Sequence, residues 1–257
     1  MHVANHLLYD QQYREYQLKQ MGEAAFDRPL IAQIAGNRSQ EMVEAAKLLS
    51  SRCDAIDINL GNGFFGSCDR TTASFTSPDS SPALLPITGC PQRSAKTHGH
   101  GAYLLPKQHW PLLEEIVGNL SHALTVPVTV KMRLCDQEEW TPILAEKLVH
   151  AGAKMVSLHA RLTSIRRCRK GAAMLEWVKT LRETMPPDIR VVSNGNVRHI
   201  GHVHDNLAFT KADGVMVGET ILGNPWSFPP FFRFNVQRQT RLAFADRSKQ
   251  SFCWHRP

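Results

Sequence analysis

The residues best suited to chemistry fall at the ends of short apolar runs. Gln33, Asn59, Lys131, Arg133, His159, Arg161, Asn194, Asn196 and Glu219 each close a stretch rich in Val, Ile, Leu or Ala. An ammonium such as Lys131 at the end of a buried strand is costly unless it finds a partner. Arg133 shares its facing, because side chains two apart on a strand point the same way. Arg161 stands in the same relation to His159. On its own, a lone His is more often structural than a ligand, and Asn194-Gly195-Asn196 reads as a turn. Arg166, Arg167, Arg169 and Lys170 form a basic cluster just beyond Arg161. Such clusters are usually solvated loops.

The cysteines narrow the chemistry further. Six are scattered singly, at 53, 68, 90, 135, 168 and 253. None forms a CxxC pair, so zinc-ribbon and thioredoxin readings are weak and no metal site is expected. A disulfide framework does not suit a chain this long, which points to a reducing, intracellular setting. No GxGxxG is present, so a dinucleotide-binding first turn is not expected.

The elements that must position these residues alternate along the chain. Six runs read as buried strands: Pro29–Gly36, Ala55–Gly61, Val128–Leu134, Met155–Arg161, Arg190–Asn196 and Gly214–Thr220. Helical spacing of apolar residues marks Gln40–Ser51, Trp110–Ala123, Thr141–Ala151 and Ala172–Met185. Alternation of the two implies βαβ units and a parallel sheet. Doubly wound sheets and (β/α)8 barrels both satisfy that pattern. Polar residues at the ends of many successive strands favour the barrel, whose sites are built there.

Composition agrees with a globular protein and bounds the partners. The 257 residues are 42% hydrophobic and 21% charged, too apolar for wholesale disorder. No run of about 18 apolar residues suggests a membrane span, and the N-terminus lacks the order of a secretory signal. The net charge of +7 suggests a polyanionic partner such as nucleic acid. Residues 229–257, however, hold six basic residues against one acidic, so most of the surplus lies in that tail. Residues 62–89 also break the rhythm. They are rich in Ser, Thr, Pro and Gly and show no period, unlike an ordinary short connection.

Joining DINLG (57–61) to CPQRSAK (90–96) across that segment gives a continuous motif, followed by HGHGAYLL (98–105). VTVKMRL, SLHAR, SNGN and GVMVGETILGNPW follow in order. This ordered set resembles the tRNA-dihydrouridine synthases over roughly residues 1–61 and 90–228. The SNGN motif and Glu219 are most similar to the eukaryotic class acting on positions sixteen and seventeen of the tRNA D-loop. The resemblance implies an FMN-dependent barrel that takes reducing power from NADPH or NADH. It further implies hydride delivery to uracil C6 and protonation of C5 by a cysteine, here Cys90. A thiol is mostly protonated near neutral pH and can supply that proton.

Carried over residue by residue, the resemblance places Gln33, Lys131 and His159 on the flavin. It places Asn194, Gly195, Asn196, Gly218 and Glu219 around the flavin phosphate, where barrels often bind one. Asn59, Arg133 and Arg161 are then expected toward the uracil or its ribose phosphate. Arg166 and Arg167 would contact tRNA phosphates, which position RNA without reading its sequence.

The chain also departs from the family pattern. The expected fold is a (β/α)8 TIM barrel, incomplete because the first strand and most of the second are missing, with the C-terminal helical domain absent. The expected organisation is a partial flavin-binding catalytic domain over 1–228, an intron-like insertion at 62–89, and an unaligned basic tail over 229–257. The expected protein is monomeric and acts on tRNA in the cytoplasm or nucleus, with no membrane and no metal. Two alternatives stay open: a non-catalytic RNA-binding remnant, and another FMN barrel reductase acting on a small pyrimidine.

Overall fold

The computed structural model describes residues 1–22, 28–61, 99–162, 171–218 and 220, and a strand at 252–254. Eight strands form one sheet, hydrogen-bonded in sequence order. They are β1 (His2–Val3), β2 (Ile31–Ala35), β3 (Ala55–Leu60), β4 (Val128–Leu134), β5 (Met155–Leu162), β6 (Arg190–Asn194), β7 (Gly214–Met216) and β8 (Phe252–Trp254). Every neighbouring pair is parallel. The helices between them are α1 (Ala4–Tyr9), α2 (Gln11–Gly22), α3 (Ser39–Ser50), α4 (Trp110–Ala123), α5 (Trp140–His150), α6 (Glu176–Thr184) and α7 (Ile200–Thr210). Strand order equal to chain order, with a helix in each described crossover, is the arrangement of the (β/α)8 barrel.

All six strands expected from the sequence are present as β2 to β7, with ends shifted by a few residues. β6 stops at Asn194 because Gly195 and Asn196 take φ of 125° and 60°. Those left-handed values end a strand. β1 and β8 were not expected, since runs of two and three residues carry no readable period.

One face of each strand packs against the helices. Ile34, Ile56, Ile58, Leu60, Val130, Met132, Leu134, Val156 and Leu158 are buried there. Met42, Ala45 and Leu49 of α3, Leu113, Ile116 and Leu120 of α4, and Leu144 and Leu148 of α5 meet them. Fully burying one such side chain stabilises by about 1.5–3 kcal/mol. The intervening residues face the other side of the sheet, so apolar and polar positions alternate along β3 and β4.

Local chemistry fixes several helix ends. The Asp10 carboxylate accepts the Tyr13 N–H at 2.9 Å, capping α2. Arg14 donates to the carbonyls of Leu7 and Leu8, which end α1. α6 begins at Glu176, later than the apolar spacing from Ala172 suggested. The reason is a clip. Asn196 accepts the Ala173 N–H at 2.7 Å and donates to the Ala173 carbonyl at 2.9 Å, taking both backbone groups of that residue away from the helix.

The entry ends of the strands are tied by carboxylates. Asp54 accepts the Leu30 N–H at 2.6 Å and returns its own N–H to the Leu30 carbonyl at 2.7 Å. Asp213 does the same to Val191, at 2.9 and 2.8 Å. It also pairs with Arg182 at 2.8 Å and Arg190 at 2.9 Å. This end is built for stability and leaves the opposite, C-terminal end of the sheet for chemistry.

Candidate active site

Parallel register stacks the inward-facing residues in rows. The lowest row contains Gln33, Asp57 and Thr129, paired strand to strand. The next contains Asn59, Lys131, Ser157 and Val192. The third contains Arg133, His159, Asn194 and Met216. Six of the residues expected at the site therefore lie on one face of one sheet, within three rows.

The lowest row is a hydrogen-bond network. Asp57 accepts from Thr129 Oγ1 at 2.6 Å and from Gln33 Nε2 at 2.7 Å. Asn59 Nδ2 donates to Gln33 Oε1 at 3.1 Å, and Asn59 Oδ1 accepts the Gly61 N–H at 2.8 Å. Burial pushes the Asp57 carboxyl up from its ordinary range, while Thr129, Gln33 and the Lys131 charge oppose that shift. Neither Asp57 nor Thr129 was singled out from the sequence. An acid inside an apolar run, two residues before Asn59, was the available signal.

Lys131 lies directly above this network on β4. Burial lowers its ammonium to about 8, against the attraction of Asp57 and with a contribution from Arg133. A Cβ placed on Gly61 would stand 3.4 Å from Lys131 Nζ, so the strand end and the amine are in close contact. Beside Lys131, Ser157 is fully buried and its hydroxyl has no hydrogen-bond partner among the described residues. Ser157 too was not anticipated.

His159 is held neutral. Burial, then the charges of Lys131, Arg133 and Arg161, lower it to about 2. A neutral imidazole donates through one nitrogen and accepts through the other. Three cations around one uncharged ring make this end of the sheet strongly favourable to an anion.

The remaining expected residues have defined duties. Arg133 Nε donates to the Gly61 carbonyl at 2.8 Å and Nη1 to the Leu162 carbonyl at 3.3 Å, joining the ends of β3 and β5. The register of β5 slips after His159. Such an irregularity re-aims side chains, and Arg161 Nη2 reaches Asn196 Oδ1 at 3.5 Å. Asn194 Nδ2 donates to the Met216 carbonyl at 2.8 Å. Gly195 is required by geometry as well as by φ, since a Cβ there would lie 2.7 Å from that of Ala173. Gly218 is exposed, and no described residue lies within 4 Å of where its Cβ would stand. Cys90, Arg166, Arg167 and Glu219 lie outside the described residues.

Among the described residues, no group of His, Cys, Asp or Glu could hold a metal ion. No helix among them is long and apolar enough to cross a membrane.

Fold and site together define an α/β protein of barrel type, with a polar, cationic constellation at the C-terminal ends of its strands. One solved structure bears on the fold alone: DHODH in complex with ferulenol, from Eimeria tenella. It superposes with a TM-score of 0.50 at 13% identity, over 90% of this chain and 63% of that one. The sequence model of the dihydrouridine synthase (Dus) family matches residues 1–62 and 88–251, and the chain belongs to that family. The match passes over residues 63–87 and reaches further toward the C-terminus than the motifs alone indicated.

Among relatives, a tRNA-dihydrouridine(16/17) synthase [NAD(P)(+)] of Schizosaccharomyces pombe is 31% identical over 204 residues, covering 79% of this chain and 44% of that protein. Its namesake in Saccharomyces cerevisiae is 30% identical over 216 residues, covering 84% and 44%. A probable tRNA-dihydrouridine synthase of Rickettsia bellii is 33% identical over 142 residues, covering 54% and 41%. The chain thus spans less than half the length of each of these relatives.

Proposed function

We propose that the chain carries the flavin-binding, catalytic part of a tRNA-dihydrouridine synthase of the (16/17) class. The substrate is a uridine of the tRNA D-loop, FMN is the bound cofactor, and NADPH or NADH is the reductant. The observation that carries this reading is the register that sets Arg133, His159 and Asn194 side by side at the strand ends, in the row above Asn59 and Lys131.

Three features of the same strand ends support a flavin. The cations suit its phosphate and the negative charge of its reduced ring. Ser157 Oγ is a buried polar atom without a partner among the described residues, beside Lys131. Gly195 and Asn196 follow β6 with successive left-handed backbones. Consecutive N–H groups in such a turn form an anion-binding concavity.

FMN, when bound, would supply the hydride for uracil C6. The chain's own residues would do the rest. Lys131 Nζ and the Gln33 amide orient the ring, and Lys131 offsets negative charge. His159 donates one N–H. The backbone of Gly195 and Asn196, with Asn194, Gly218 and Glu219, surrounds the phosphate. Cys90 transfers its Sγ proton to C5, and the resulting thiolate is reprotonated from solvent. Asn59 and Arg161 face the uracil or its phosphate, and Arg133 secures the strand ends beneath them. Arg166 and Arg167 hold tRNA phosphates while the target base leaves its stack. Residues 62–89 are an insertion ahead of Cys90, residues 229–257 a basic tail, and the setting is cytoplasm or nucleus.

The test is purification followed by assay on tRNA lacking dihydrouridine. The chain is expected to emerge yellow and to form dihydrouridine with NADPH or NADH. Cys90→Ala should keep the flavin and abolish turnover. A colourless protein with salt-sensitive RNA binding would instead establish a non-catalytic remnant. Flavin without tRNA activity would establish a small-pyrimidine reductase.

A further inference from the structure

We propose that Asp57 is a positioning residue that sets the donor–acceptor polarity of the Gln33 and Asn59 side chains and, through them, secures the Gly61 backbone. The geometry is a chain of hydrogen bonds that all run toward one carboxylate. Thr129 Oγ1 and Gln33 Nε2 donate to Asp57 at 2.6 and 2.7 Å. Gln33 therefore turns its carbonyl away, where it accepts from Asn59 Nδ2 at 3.1 Å. Asn59 in turn presents its carbonyl to the Gly61 N–H at 2.8 Å. An ionised carboxylate can only accept. Reversing either amide would put carbonyl against carboxylate, or carbonyl against carbonyl.

The carboxylate at one end, which only accepts, and the Gly61 N–H at the other, which only donates, thus dictate the orientation of two amides between them, with Asn59 Nδ2 also against Met1 Sδ. Asp57 is 4% exposed and Thr129 equally buried, so water does not supply the missing direction. The order has a consequence at the strand end. Gly61 also gives its carbonyl to Arg133 at 2.8 Å, so both polar groups of this peptide segment are committed. Gly61 is the last described residue before the stretch that contains Cys90. On the functional reading above, on which this consequence rests, Asp57 fixes which atoms of Gln33 and Asn59 meet the flavin and the uracil without touching either.

The experiment reads the network first without FMN. The 257-residue chain is labelled on Asn and Gln for NMR, and side-chain amide signals and Gly61 hydrogen exchange are followed. In the wild type, the Gln33 and Asn59 amides should be protected. In Asp57→Asn, which can donate as well as accept, both should shift and Gly61 exchange should rise at least tenfold. Gln33→Met breaks the middle link at similar volume and serves where Asp57→Asn does not fold. It should expose the Asn59 amide and Gly61 while leaving the Thr129 hydroxyl bonded. Unchanged Asn59 and Gly61 signals in the folded variants overturn the proposal.

FMN titration of the same samples separates the two readings. Asp57→Asn should weaken FMN about tenfold and alter the bound flavin spectrum, whereas Asp57→Glu should recover part of both. A wild type that shows the coupled amides but binds no FMN refutes the flavin reading and leaves the assignment of Asp57 standing. A wild type that binds FMN with no coupling refutes the assignment alone.

Discussion

The half-buried ammonium of Lys131 makes anion binding depend on pH in a range where an ordinary lysine would not. Burial holds it at about 8 rather than 10.5, against the pull of Asp57. An anion placed against Nζ needs the charged form. With that midpoint, Lys131 is about nine-tenths protonated at pH 7 and about one-tenth at pH 9. Affinity for an anionic ligand contacting Lys131 should therefore fall about tenfold across that interval, or about 1.4 kcal/mol. The sign follows from the depressed value: binding is full below about pH 8 and lost above it. The assay is titration by flavin fluorescence at pH 7, 8 and 9, at constant ionic strength. The ligand phosphate stays doubly ionised throughout, its second ionisation lying near about 6. His159 stays neutral over the same range. Lys131→Gln should bind more weakly at pH 7 and lose the pH dependence. A flat wild-type profile, or an equal fall in Lys131→Gln, would refute the assignment of a half-buried, titrating amine to the site.

Acid should destabilise the fold through His159. Its native value near 2 lies below the unfolded 6.5, so the unfolded chain gains a proton first as pH falls. Stability is full above about 6.5 and should drop by about 2 kcal/mol at pH 5, and His159→Gln should flatten that part of the urea-midpoint profile. Gly195→Ala meets both a φ of 125° and the Ala173 methyl group. It should cost about 2–3 kcal/mol by the same measurement. Asp213→Ala leaves Arg182 and Arg190 without their carboxylate and Val191 N–H without its acceptor. A loss of about 2–3 kcal/mol is expected, read as a lower urea midpoint with the slope unchanged.

The fold was legible where burial against the helices wrote itself into composition. Val128–Leu134 and Ala55–Leu60 alternate apolar residues, which face the helices, with the polar residues of the interior rows. α2 was not legible, since Gln11–Gly22 is polar nearly all round. The start of α6 was misjudged because the Asn196 clip, a contact from 23 residues away, overrides helical spacing at Ala173. The site was half legible. Strand-end residues such as Lys131 and His159 stand out as polar breaks in apolar runs. Asp57, Thr129 and Ser157 do not, because their importance lies in register with neighbouring strands. The sequence of one strand says nothing of what stands beside it.

The clip at Asn196 also bears on how this surface can change over time. Leu162 is held from one side by Arg133, and Ala173 from the other by Asn196. The chain therefore leaves the sheet and returns to it at two points secured by residues outside the intervening segment. Lengthening such a connection costs little, about 0.6 kcal/mol per doubling. A change in the length of the connection between those two points leaves Leu162 and Ala173 anchored as they are.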